Sequence, residues 1–231
     1  MKKVAIVVFL VLLLDQALKF YIKTTMYLGE DIHVFGDWFI IHFTENNGMA
    51  FGWELAGETG KYILSIFRLL AVGGIGYYIW YAYGKNARPG LLIALSLILA
   101  GALGNILDSA FYGMIFSESG NYFNQVPAVL FPEKGGYSSF LQGRVVDMFY
   151  FPIIKGSYPD WIMGGKEFIF FRPVFNLADA SITVGVFMLL LFQNRYFTKH
   201  GHGIRSVDDE ENIQTESDAD NSNSETTAQN S

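Results

Sequence analysis

Four apolar runs divide the chain. Val4 to Leu14 is unbroken, and Ala17, Leu18, Phe20, Tyr21 and Ile22 extend it past Asp15. Tyr62 to Tyr83, Leu91 to about Phe111 and Val174 to Phe197 follow. Each is about as long as the 20 residues a helix needs to cross hydrocarbon. The pattern predicts an α-helical membrane protein with four transmembrane helices. Lys2 and Lys3 before the first run also fit a signal peptide. No small-x-small cleavage site follows, and Asp15-Gln16-Ala17-Leu18-Lys19 continues at helical spacing, so the first helix is read as retained. Gly84 to Gly90 makes a tight loop with two bases and no acid, on the same side as Lys2, Lys3, Arg195 and Lys199. The positive-inside rule places that loop and both termini in the cytoplasm. The segments from about 25 to 60 and from about 112 to 172 then lie outside.

Those outer segments carry structure of their own. Ile32 to Phe35 and Trp38 to Phe43 are β-branched and aromatic, and predict a small β-rich cradle on the outer surface. The second segment holds Asn121-Tyr122-Phe123-Asn124 and a Pro-Glu-Lys-Gly-Gly turn at Pro132 to Gly136, which read as an elaborated loop.

Composition narrows the class. The chain has 231 residues, 51% hydrophobic, with a mean hydropathy of +0.26, too apolar for an ordinary soluble domain. It has no cysteine, which excludes disulfides, thiol catalysis and Cys-ligated metals. The net charge of -6 belongs to one end: eight acids and no base follow Arg205, leaving 14 acids against 16 bases in residues 1–205. The expected organisation is a membrane domain over residues 1–200 and an acidic, disordered cytoplasmic tail over 201–231.

Carboxylates at the edge of hydrocarbon are costly and rarely idle. Gly143-Arg144-Val145-Val146-Asp147 and Phe175-Asn176-Leu177-Ala178-Asp179 each set an aspartate beside apolar residues. A loop that stays outside can return Asp147 to the mouth where Asp179 enters the membrane, which suggests an aspartic-protease pair. Asn176 and Asp179 share a helix face, and equally fit an N-cap. Asp15 and Lys19 are spaced for an ion pair, read either as a packing pin or as substrate-binding groups. Gly101, Gly104, Asn105 and Asp108 form a small and polar stripe suited to close helix approach. Arg68 lies about two turns from the outer end of the second helix, to snorkel or meet an acid. His33 and His42 read as packing residues, and His200-Gly201-His202 is a weak metal pattern.

Five segments in order resemble lipoprotein signal peptidase, the signal peptidase II family of bacterial membrane aspartic proteases. They are Asp15-Gln16-x-x-Lys19, Asn46-Asn47-Gly48-Met49-Ala50-Phe51, Gly101 to Asp108, Gly143-x-Val145-Val146-Asp147 and Phe175-Asn176-x-Ala178-Asp179. The resemblance implies that Asp147 and Asp179 are the catalytic pair. Asn46, Asn105, Asp108 and Asn176 would hold the substrate backbone and orient the pair, with Gly48 and Ala178 as support. Asp15 and Lys19 would act at the membrane–substrate interface. It implies no metal, no cofactor and no nucleic-acid partner. The substrate would be a prolipoprotein whose cysteine carries diacylglycerol, held in membrane lipid and cut just before that cysteine. Globomycin would inhibit. The site would face outward from the bacterial inner membrane.

Two departures stand out. The family usually has Arg after Asp108, where this chain has Ser109; Arg144 or Arg172 is the expected replacement cation. Gly113 to Gln142 is an insertion of about 30 residues, expected to extend the cradle or form a lid, and residues 155 to 170 are also long. Two other classes stay open on the residues alone: a four-helix transporter with a polar path, and a structural membrane subunit.

Overall fold

The computed structural model describes residues 1–47, 57–157, 161, 167–170 and 173–197. α1 (Lys2–Thr25), α2 (Gly57–Gly84) and α3 (Pro89–Leu107) follow the first three apolar runs. α3 continues through a π-helical turn, Asp108–Tyr112, and a last turn, Gly113–Ile115. These three helices are long and apolar enough to cross a membrane. The fourth run is divided: Val174–Phe175 is a short strand, α4 spans Leu177–Leu191, and α5 (Gln193–Phe197) follows a break at Phe192. α4 alone is therefore a shorter apolar helix than the run predicts.

The helices wear their apolar side chains outward. Phe9 and Leu14 on α1, Phe67, Leu70 and Trp80 on α2, and Phe187 and Leu191 on α4 are exposed. Such a surface is stable against hydrocarbon and not against water. What is buried between α3 and α4 is mostly small, with Ala178, Ser181 and Gly185 facing Ala94, Ala100, Gly101 and Gly104, whereas the α2–α3 seam buries Ile79, Leu91 and Leu95. α4 packs on α3 in antiparallel register, and α3 also packs on α1 and α2. A Cβ on Gly101 would come within 2.2 Å of the Ala178 carbonyl oxygen, and one on Gly185 within 2.6 Å of the Ala94 carbonyl oxygen. Between these crossings Ser181 Oγ donates to the Leu97 carbonyl at 2.7 Å. The small residues let the backbones meet, which is how helices associate without a hydrophobic drive between them. Pro89 at the first turn of α3 starts that helix with φ already set.

A four-stranded antiparallel sheet sits beyond the helix ends, in the order β1 (Asp31–Phe35), β2 (Phe39–Asn46), β3 (Val145–Tyr150), β6 (Val174–Phe175). β4 (Ile154–Ser157) and β5 (Glu167–Phe170) form a separate hairpin. β1 and β2 fall where the β-branched stretches predict. β3 and β6 do not show in the sequence as strands, yet they carry the polar motifs to one place. Phe43, Val146 and Met148 of the sheet pack against Ile22 and Met26 of α1 and against Tyr112, Phe116 and Ala128. The insertion is thus an extension of the sheet's core. Its predicted turn forms, with Gly135 N donating to the Pro132 carbonyl at 2.9 Å, and the loop also turns at Asn121–Asn124, where Asn124 N donates to the Asn121 carbonyl at 3.2 Å. His33 and His42 stay in the β1–β2 hairpin, His42 against Asp31 at 2.6 Å.

The α3–α4 seam gives a direct test. Gly101→Ala should lower the melting temperature in detergent, at a cost of roughly 1–3 kcal/mol for forcing apart a packed contact. Gly74→Ala, where a Cβ meets nothing within 4 Å, should leave it unchanged.

Candidate active site

The site is built from a chain of polar groups that starts in α1. Lys19 is wholly buried, and its ammonium sits 2.9 Å from Asp15, 2.8 Å from Asp108 and 3.0 Å from Asn105 Oδ1. Three acceptors match the three protons of an ammonium, which is what a buried lysine requires. Gln16 completes this layer. Its Nε2 donates to Asp108 Oδ1 at 2.9 Å, and its Oε1 accepts from Tyr112 Oη at 3.1 Å. Asp15 reaches across to α4, where its Oδ1 accepts from Ala178 N at 2.9 Å. Gly104 makes room for it, since a Cβ there would fall 2.7 Å from Asp15 Oδ2.

Asp108 starts the π-helical turn. Turns of this kind shift the register of the groups that follow and recur at functional sites. Gly143 lies on this turn: its N donates to the Ser109 carbonyl at 2.8 Å, and a Cβ on it would meet the Asp108 carbonyl oxygen at 2.2 Å. Only glycine lets β3 begin there. Val146 N then donates to Asp108 Oδ2 at 3.3 Å, which fixes the strand one residue before Asp147.

Asn176 joins the two halves. Its Nδ2 lies 2.7 Å from Asp147 Oδ1, 3.1 Å from Asn105 Oδ1 and 3.2 Å from the Val146 carbonyl. Its Oδ1 accepts from Asp179 N at 2.9 Å, and Asp179 Oδ2 accepts from Asn176 N at 3.3 Å, a reciprocal capping box at the start of α4. Asn105 Nδ2 donates to Asp179 Oδ1 at 2.8 Å. The N-cap and the site are therefore the same residue doing both jobs. Asp147 is buried and Asp179 is half-buried. Burial, and next to it the neighbouring Asp179 charge, push the Asp147 carboxyl up to about 7.

The structure thus gathers Asp15, Lys19, Asn105, Asp108, Asp147, Asn176, Ala178 and Asp179 into one connected cluster. Asn46 closes β2 opposite Val145, on the sheet face that carries Asp147. Gly48 lies outside the described residues, as does the rest of its motif. Arg144 does not neutralise Asp108 as expected: it bonds Glu45 at 3.1 Å and Glu118 at 2.9 Å, and lies over the Tyr137 ring. Lys19 supplies that charge instead. Arg172 is outside the described residues. Three residues gain roles that spacing does not reveal. Gln16 holds Asp108. Lys23 is buried against Glu45 and Ser119. Burial pushes the Glu45 carboxyl up, but Lys23, Ser119 and Arg144 outweigh it and leave it below its ordinary value. Tyr137 Oη accepts from Arg144 N at 2.7 Å, pinning the approach to β3.

A family model and sequence relatives point to one family. Residues 7–195 match the signal peptidase (SPase) II family. The chain belongs to the signal peptidase II family. It is 49% identical over 193 residues to a lipoprotein signal peptidase of Porphyromonas gingivalis, covering 82% of each chain. It is 36% identical over 186 residues to one of Amoebophilus asiaticus, covering 79% of this chain and 73% of that one. Among solved structures it resembles a bacterial membrane enzyme determined by the in meso method at 2.3 Å, with a TM-score of 0.54 and 25% identity over 87% of this chain and 94% of that one. Signal peptidase II is an aspartic endopeptidase, so the transporter and structural-subunit readings fall away.

The raised Asp147 carboxyl makes stability depend on pH with a definite sign. Between about pH 4 and pH 7 the unfolded chain has lost a proton that folded Asp147 keeps, so stability falls as pH rises through that window. Asp147→Asn removes this term. It should raise the melting temperature more at pH 8 than at pH 5, by about 2 °C or more in a detergent melt.

Proposed function

We propose that Asp147 and Asp179 are the catalytic pair with which this signal peptidase removes the signal peptide from diacylglyceryl-modified prolipoproteins, just before the lipidated cysteine. The observation that carries this is Asn176, which bonds Asp147 with its amide nitrogen while its oxygen caps the helix turn that holds Asp179. One side chain thus sets both carboxylates.

Two close carboxylates share one proton because charging both is expensive. The ionised member takes a proton from water as the water oxygen attacks the scissile carbonyl. The protonated member gives its proton to the carbonyl oxygen, forming a gem-diol. Collapse breaks the C–N bond, and the leaving amine, the new N-terminal cysteine, takes a proton back from the pair. General acid–base help of this kind is worth roughly 10²–10⁴-fold. The pair titrates as a unit, with apparent values that belong to both members.

In this reading α4 and α5 complete a fourth span, both termini are cytoplasmic, and the sheet is a cradle at the outer face of the bacterial inner membrane. Residues 1–200 form the membrane domain and 201–231 the tail. The substrate's acyl chains stay in the membrane lipid, each buried CH₂ holding it by about 0.8 kcal/mol. Asn46, Asn105 and Asn176 offer amides to the substrate backbone, Asp108 orients the pair by holding β3 through Val146 N, and Asp15 and Lys19 secure the seam below. Globomycin should occupy the same groove.

The test is a gel-shift cleavage assay on a diacylglyceryl-modified prolipoprotein. Asp147→Asn and Asp179→Asn should each abolish cleavage, a loss of at least about 10²-fold, while the protein still accumulates in the membrane. Globomycin should block the wild type. Full cleavage by either variant contradicts the assignment.

A further inference from the structure

The end of the helices opposite the aspartates is built from cations without acids. Val4 of α1, Ala82 of α2, Leu91 of α3 and Leu189 of α4 pack together at this end. Asp and Glu are absent from residues 1–14, 59–107 and 180–207, while Lys2, Lys3, Lys85, Arg88 and Arg195 flank the four helices here. α3 runs 19 residues from this end to Asp108, about 28 Å at a rise of about 1.5 Å per residue. The two ends are thus about one hydrocarbon thickness apart, and this one lies at the other headgroup layer. Topology alone calls for such a charge bias. The geometry goes further.

A cavity of about 430 Å³ opens at this end, lined by Arg88, Pro89 and Gly90 where α3 begins and by Phe192, Arg195 and Tyr196 after α4. Small-molecule sites measure about 300–1,000 Å³. One wall is fixed by close packing: Tyr196 is 5% exposed, and a Cβ on Gly90 would fall 2.6 Å from its Oη. Glycine there lets the Tyr196 ring lie against the start of α3, which brings Arg195 to the same cavity as Arg88. Neither arginine side chain has a hydrogen-bond or ion-pair partner among the described residues. Two such cations on one cavity call for an anion, and the guanidinium fork matches a phosphate. The positive end of the α3 dipole adds to the same field. The rim then continues into hydrocarbon-facing surface: Phe192 is half-exposed, and Phe187, Leu190 and Leu191 just before it on α4 are exposed. A phosphate that carries acyl chains therefore meets a partner for each of its halves.

We propose that this cavity binds the phosphate of an anionic phospholipid, with Arg88 and Arg195 as its ligands and the acyl chains lying along the exposed face of α4. In the orientation proposed above, the lipid belongs to the cytoplasmic leaflet. Basic pockets between helices on that side suit such headgroups. The bound lipid ties the α2–α3 loop to the end of the fourth apolar run, and so closes the bundle at the face away from the aspartates. The proposal does not depend on which residues cut the peptide bond.

The experiment titrates the melting temperature of the full chain, in neutral detergent, with phosphatidylglycerol, with phosphatidylcholine of the same chains and with inorganic phosphate. Phosphatidylglycerol should raise the melting temperature of the wild type to a plateau, because a ligand of the folded state stabilises it. Arg88→Gln and Arg195→Gln should each raise the half-saturating concentration about tenfold, the loss of a charge-assisted hydrogen bond. Lys3→Gln and Lys85→Gln together should cost less than either. Phosphatidylcholine and inorganic phosphate should each need far higher concentrations. A phosphatidylglycerol response that the arginine variants keep, or that Lys3 and Lys85 carry instead, overturns the proposal. So does an equal response to inorganic phosphate, which would assign the cavity to the free anion. If the arginine variants fail to accumulate, the native mass spectrum of the wild type decides. One phosphatidylglycerol retained from an equimolar mixture with phosphatidylcholine supports the site, and none retained overturns it.

Discussion

A buried ammonium holds this site together. An isolated charge in a low-dielectric interior costs several kcal/mol, and Lys19 avoids that cost only by having an oxygen for each of its protons. Those oxygens come from α1 and α3, and the same groups reach onward: Asp15 to α4, Asp108 to β3, Asn105 to Asp179 and Asn176. Loosening Lys19 therefore loosens the helix packing and the aim of the carboxylates at once. The geometry leaves little slack. The glycines at 101, 104 and 143 sit where a methyl group would strike a backbone oxygen or the Asp15 carboxylate.

The two catalytic candidates arrive by different routes. Asp179 is set by the first turn of a helix and Asp147 by a strand, and these elements share no local sequence. What registers them is Asn176, which ends β6 and caps α4. β6 pairs with β3 through Phe175 and Phe149, so the Asp147 strand and the α4 cap are one hydrogen-bonded unit. The consequence is chemical. A buried carboxyl beside a second acid keeps its proton toward neutral pH, which is the state an acid–base pair needs.

Much of this was legible in the residues. Length and hydropathy locate the helices, and the five polar motifs name all but a few of the clustered side chains. What escaped has physical reasons. The fourth run is apolar from Val174, and nothing in composition says that its first two residues pair as a strand before Asn176 turns the chain into a helix. β3 is short and buried on both sides, with no alternation to betray it. Gln16 reads as one polar residue among many until α3 comes within reach. With serine beside it at 109, Asp108 has no neighbouring cation in sequence; the chain supplies one from 89 residues upstream, at Lys19, which only the packing of α1 on α3 brings near.

Lys19 neutralises the buried acids around it. A double-mutant cycle on unfolding in detergent measures this most directly, using Lys19→Met, Asp108→Asn and both together. Lys19→Met should cost roughly 3–5 kcal/mol, because it strands two buried carboxylates. Adding Asp108→Asn should recover part of it, with a coupling of about 1–3 kcal/mol. Additive losses, with coupling below about 0.5 kcal/mol, would mean that Lys19 and Asp108 are independent of one another and that Lys19 is not there for its charge.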